Sequence, residues 1–206
     1  MARLMTMIVM AFVMTVFPVM AQAAQPEEVK KAEAYFANLK TAQARFVQTS
    51  ADGRQQRGTF YLSRPGKLRF QYDAPNDDFV VADGIFIYFY DGQMKQQTNA
   101  PISQTLADFL LRKDLKLSGD LAVTKIMRSG ELVQIFLAQT DSPESGTLIL
   151  GFNENKSGEL NLKKWRIVDA MGNITEIELF NVQSGVKFKN KTLFAYHDPE
   201  PKGYNK

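Results

Sequence analysis

Between residues 41 and 183, apolar and polar side chains alternate in short runs rich in β-branched and aromatic residues. A period of two marks strands with one buried face. The runs fall at residues 42–50, 57–63, 67–72, 78–82, 85–90 and 93–98, then at 121–127, 132–140, 147–152, 162–169 and 174–183. Asp52-Gly53, Asp83-Gly84 and Asp91-Gly92 punctuate the early runs. Asp-Gly is the dipeptide that type I′ hairpins prefer, so consecutive hairpins and an antiparallel meander are predicted. The run IFIYFY at 85–90 is apolar throughout, which predicts a strand buried on both faces.

Two segments break this period. In residues 25–40, Val29, Ala32, Phe36 and Leu39 recur at helical spacing, with Pro26 near the first turn and Glu27 and Glu28 at the positive end. In residues 101–113, Ile102, Leu106, Phe109 and Leu110 share a helical face, and Ser103 is a candidate cap. The fold class is therefore mainly β (α+β). A large antiparallel sheet must curl, and its concave apolar face must be covered. The two helices are the available cover.

The N-terminus changes the setting. Arg3 precedes an apolar stretch at residues 4–20, and Ala21-Gln22-Ala23 presents small residues at a cleavage position. This is the pattern of a cleaved secretory signal over residues 1–23, which leaves one domain at 24–206 with a loose tail from about residue 197. Removing the signal takes away Arg3 alone, leaving 24 Lys and Arg against 22 Asp and Glu. That near balance, with no basic block interleaved with aromatics, gives no reason to expect nucleic acid as a partner. There is no cysteine. The core must hold without disulfides, and the chain cannot itself be lipidated at a cysteine. A monomer is expected.

Catalytic chemistry is hard to assemble from these residues. The lone histidine, His197, lies close to the tail, between Tyr196 and Asp198. Neither His pairs nor an Asp-rich loop suggest a metal, and no glycine-rich phosphate loop suggests a nucleotide cofactor. Asp77-Asp78 reads as a strand start rather than a glycosidase pair. Alternation instead puts Phe46, Phe60, Leu62, Leu68, Phe70 and Tyr72 on one face, with Val80, Ile87 and Phe89 as additions. Periodicity alone leaves two readings open, a filled β core or the wall of an apolar cavity. Arg64 stands at the edge of this face, as a solvated strand-end residue or as something more.

Three segments carry a resemblance: ARFVQT at 44–49, GTFYLSRPGKLRFQY at 58–72 and VVADGIFIYFYDGQMKQQT at 80–98. They resemble the LolA family, periplasmic carriers that move lipoproteins to the outer membrane. The resemblance implies an open half-barrel whose helices form a lid over a hydrophobic cavity. It implies that the nine apolar residues just named line an acyl-chain site. Val29, Phe36, Leu39, Leu106, Phe109 and Leu110 would be lid positions, and Arg64 would latch the lid by bonding its main chain. It implies acylated lipoproteins as cargo, an inner-membrane ATP-driven exporter as donor and a LolB-like outer-membrane acceptor, with no cofactor. Leu68 and Phe70 stand where the family more often has Phe and Trp, which bears on acyl selectivity. The rivals are a lipoprotein-sensing module on the same fold and an all-β hydrolase.

Overall fold

The computed structural model describes residues 25–199, except residue 106. The expected signal segment, Ala24, Leu106 and residues 200–206 lie outside the described residues. Helix α1 (Glu27–Asn38) is followed by β1 (Thr41–Thr49), β2 (Gln55–Ser63), β3 (Lys67–Tyr72), β4 (Phe79–Asp83), β5 (Phe86–Asp91) and β6 (Gln96–Pro101). A 3₁₀ turn at Ile102–Gln104 and a short helix α2 (Asp108–Leu111) lead to β7 (Leu121–Ser129), β8 (Leu132–Gln139), β9 (Gly146–Glu154), β10 (Leu160–Asp169) and β11 (Ile174–Ser184).

All eleven strands form one sheet in the order β6-β5-β4-β3-β2-β1-β11-β10-β9-β8-β7. Each half is an antiparallel meander, and the β1–β11 ladder joins them, Phe46 opposite Leu179. β6 and β7 remain as edges, so the sheet is open. One hydrophobic cluster includes Phe70 and Ile87 from one half, Val133, Ile135 and Leu150 from the other, and the buried faces of both helices. A flat sheet could not bring these together, so the sheet curls around them.

Local chemistry departs from the expected pattern in four places. The segment 101–113 is not one helix. Thr105 is extended and its hydroxyl donates to the Ile102 carbonyl at 2.9 Å, the side-chain competition that ends helices. Neither piece has a side-chain cap, so Ser103 does not serve as one. The Asp-Gly turns also differ from one another. Gly53 and Gly84 take positive φ, whereas Gly92 does not and Lys95 does so instead. Gly92 answers to a close approach: a Cβ there would lie 2.7 Å from Asp77, and its amide donates to Asp78 at 2.8 Å. With Lys95 in the turn, β6 starts at Gln96, three residues later than the alternation implied. Finally, β5 is not buried on both faces. Ile87 and Tyr90 are buried, but Ile85 sits in the turn, and Phe86 and Phe89 are substantially exposed.

Gly58 shows why the β2 run tolerates a glycine. A Cβ there would meet the Gln71 carbonyl at 2.2 Å and the Phe46 ring at 2.6 Å. Phe46 fills the space that a side chain would need. Gly58→Ala is expected to cost about 1–3 kcal/mol through this overpacking, read as a lower urea midpoint at unchanged m-value.

Candidate functional site

The inward face of β3, β4 and β5 and the α2 segment enclose a cavity of about 690 Å³. That is within the roughly 300–1,000 Å³ typical of small-ligand sites. Leu68, Phe70, Tyr72, Val80, Ile87 and Phe89 all line it, and Phe109 and Leu110 close it from the α2 side. Phe89 is 45% exposed. It faces this space rather than packed protein.

The other three residues of the early stripe lie elsewhere. Phe46, Phe60 and Leu62 are fully packed in the core and do not line the cavity. They support it. Phe46 meets Phe70 edge-on at 5.1 Å and Tyr72 at 5.3 Å, while Phe60 packs on Phe70 at 4.7 Å. Trp165, Ile167 and Ile177 complete the lining from β10 and β11. Strict alternation misses Trp165, because β10 bulges between Leu162 and Lys164 against β9. The extra residue puts Leu162 and Trp165, three apart, on one face.

The mouth is polar. Gln48, Gln56, Asp78, Asp91 and Gln96 stand around it with Met94 and Thr98. At this rim the Tyr72 hydroxyl donates to Gln48 Oε1 at 2.8 Å. Its pKa is pushed up to about 12, chiefly by burial and then by the charge of Asp78, against the Gln48 bond. The folded value exceeds the ordinary tyrosine value of about 10. Tyr72 is therefore neutral at neutral pH, and its contribution to stability is lost only as the pH rises through about 10 to 12. Alkaline titration of phenolate absorbance is expected to show a late-ionising tyrosine that Tyr72→Phe removes.

Arg64 is tied to main chain on two elements. Nη1 donates to the Phe36 carbonyl and, at 3.3 Å, to that of Leu39, both at the end of α1. Nη2 donates to the Arg112 carbonyl at 2.6 Å, just past α2. Backbone bonds reinforce the junction, from Arg64 to Lys40 at 2.7 Å and from Gly66 to Leu111 at 2.9 Å. The guanidinium carbon also lies 5.7 Å from the centre of the Phe36 ring. Burial pulls the Arg64 pKa below its ordinary value, yet an arginine stays charged in protein. Arg112 is held in turn by Asp108 and, at 2.8 Å, by Asp120. The sequence singled out Arg64 but gave no sign of Arg112.

The expected lid positions are buried beneath these contacts. Val29, Phe36 and Leu39 pack inward from α1, and Phe109 and Leu110 from α2. Tyr35 and Phe36 meet Phe152 of β9 edge-on at 5.9 and 6.0 Å. His197 is exposed, and its neighbour Tyr196 stacks on Tyr88 at 5.0 Å on the outer face of β5.

An open β sheet with an apolar cavity under a helical segment defines a class of proteins that bind hydrophobic ligands. The chain matches the family described as outer membrane lipoprotein carrier protein LolA over residues 37–197, and it belongs to that family. It is 29% identical over 174 residues to the outer-membrane lipoprotein carrier protein of Pseudomonas aeruginosa, covering 80% of this chain and 81% of that protein. It is 28% identical over 209 residues to the carrier protein of Nitrosomonas europaea, covering 97% of each. With that of Methylococcus capsulatus, identity is 27% over 191 residues, 87% of this chain and 88% of the relative.

Proposed function

We propose that this protein ferries lipoproteins, holding their acyl chains in the cavity beneath α2 and handing them on without catalysis. The observation that carries the reading is the cavity of about 690 Å³, walled by Leu68, Phe70, Val80, Ile87 and Phe89 and roofed by Phe109 and Leu110. Each buried CH₂ contributes about 0.8 kcal/mol, so a ~16-carbon chain gains roughly 13 kcal/mol. Water alone cannot carry such a chain between membranes, and an apolar cavity with a polar mouth can. Family membership favours ferrying over sensing.

The setting we propose is the periplasm, reached through the signal at residues 1–23. Among the described residues no helix is long and apolar enough to cross a membrane. The proposed donor is an inner-membrane ATP-driven exporter, and the proposed recipient an outer-membrane acceptor of LolB type. Arg64 is the proposed latch, since it joins the ends of α1 and α2, the two elements that would have to separate when the site fills.

The test uses residues 24–206 and a triacylated lipoprotein dialysed out of detergent. The expected result is a soluble complex on gel filtration, with acyl-bearing peptide recovered from it by native mass spectrometry. Lipoprotein that pellets equally with and without the protein would overturn the reading.

A further inference from the structure

The sheet is not paired throughout. The β10–β11 ladder runs from Val168 opposite Ile174 to Lys164 opposite Glu178, and no pairing continues it. Beyond that point residues 160–162 stay paired with β9, and Leu179, Phe180, Gln183 and Ser184 stay paired with β1. Both strands bulge where they part, β10 at Lys163 and β11 at Asn181, which adopts a φ of 51°. Between them lies a gap of about 400 Å³ that reaches from the outer surface to Tyr35 and Leu39 at the end of α1.

Two facing strand edges ordinarily satisfy each other, and exposed edges are templates for another strand. Here side chains stand in. Lys163 Nζ donates to the Leu179 carbonyl at 3.1 Å, and its ammonium rests 4.3 Å from the centre of the Phe180 ring. The same ammonium pairs with Glu178 at 3.3 Å. Tyr35 of α1 lines the gap, and burial raises its pKa above the ordinary tyrosine value. Phe180 and Val182, 37% and 42% exposed, edge the opening with apolar surface.

We propose that this gap is a strand-acceptor site for an extended segment of a protein partner, and that Tyr35 and Lys163 plug it when no partner is bound. Backbone edges recognise extended polypeptide by main-chain hydrogen bonds, while alternate side chains meet the apolar flanks. A membrane surface offers no such ladder. The cargo's own tether is placed wrongly, since Gln48 at the cavity mouth lies opposite Ile177, toward the other end of β11. The C-terminal segment is also occupied elsewhere, with Phe188 on Tyr61 of β2 and Tyr196 on Tyr88 of β5. Because Tyr35 adjoins Phe36, whose carbonyl Arg64 holds, a strand that displaces Tyr35 loosens the same end of α1 that Arg64 fastens. The site is independent of lipid binding.

The experiment is backbone amide exchange on the empty protein, with a capped synthetic heptapeptide of alternating threonine and valine as the probe. Slowed exchange is expected at residues 161–163 and 179–182, with faster exchange in α1. Lys163→Met removes a competing contact, so it is expected to tighten the peptide by about five- to tenfold. No protection at millimolar peptide, or equal protection along the free edges of β6 and β7, would overturn the proposal. Should a variant fail to fold, the wild-type exchange pattern decides alone. Lipoprotein uptake in the preceding test is unaffected by either outcome.

Discussion

Arg64→Leu is expected to load lipoprotein normally and to hand it on about 30- to 150-fold less well. Leucine cannot donate to the carbonyls of Phe36, Leu39 and Arg112, so the closed lid loses the contacts that join α1 to the end of α2. On the proposed mechanism a filled cavity has its lid displaced, so the bound state loses little. The equilibrium between them therefore shifts toward holding. Hydrogen bonds from a charged donor contribute about 1.5–3 kcal/mol each, but three of them do not simply add here. Arg64 is half-buried, its Nε is buried without a partner among the described residues, and its desolvation opposes closure. A net loss of about 2–3 kcal/mol is the reasonable size, which converts to the stated range. Arg64→Lys should fall between, because one ammonium cannot span acceptors on both elements. The measurement is lipoprotein left on the carrier after acceptor is added, wild type against both variants. Equal release from wild type and Arg64→Leu would remove the latch from the mechanism.

What the sequence made legible follows from where its periodicity is unbroken. The strands around Phe60, Phe70 and Ile87 alternate without interruption, and their inward residues are where alternation put them. Helix α1 was equally plain, with Val29, Ala32, Phe36 and Leu39 all buried. Legibility fails where one residue is added or one conformation is unusual. The bulge at Lys163 hides Trp165 from a period-two reading, and Lys95 shifts β6 by taking the positive φ expected near Gly92. Composition also overstates burial. IFIYFY is apolar throughout, yet Phe89 faces the cavity, while the outer aromatics Tyr88 and Tyr90 are covered by Tyr196 and Phe79. A covering residue more than a hundred positions away leaves no mark on the local pattern. The division of the apolar stripe into lining residues and supporting residues was illegible for a related reason. Phe46 and Phe70 share a face, and only the packing of Phe46 over Gly58 sends one into the core and leaves the other against the cavity.

That division decides which substitution tests the cavity. Phe70→Glu is expected to abolish lipoprotein uptake, but it should also weaken the fold. Phe70 is 8% exposed and touches Phe46, Phe60 and Trp165, with ring centres 5.1, 4.7 and 6.2 Å away. Losing such a ring costs about 3–5 kcal/mol before the carboxylate is considered. Burying the unpaired charge costs several more, although protonation would relieve part of it. Failure to bind would then be ambiguous. Phe89→Glu separates the two effects. Phe89 is half-exposed to the cavity, pairs with Val80 and Thr98 along the strands, and is absent from the buried core. In the empty protein its carboxylate can stay hydrated, so the melting temperature should move by only a few degrees. Once an acyl chain enters, the same carboxylate must lose its water against hydrocarbon. A penalty of about 3 kcal/mol, at the low end for burying a charge, already weakens binding by more than 100-fold. The paired measurement is thermal unfolding with lipoprotein uptake for wild type, Phe70→Glu, Phe89→Glu and Phe89→Leu. Leucine should restore most of the uptake, since it keeps the wall apolar. Full uptake by folded Phe89→Glu would show that the acyl chains do not pass along β5, and the cavity assignment would have to be abandoned.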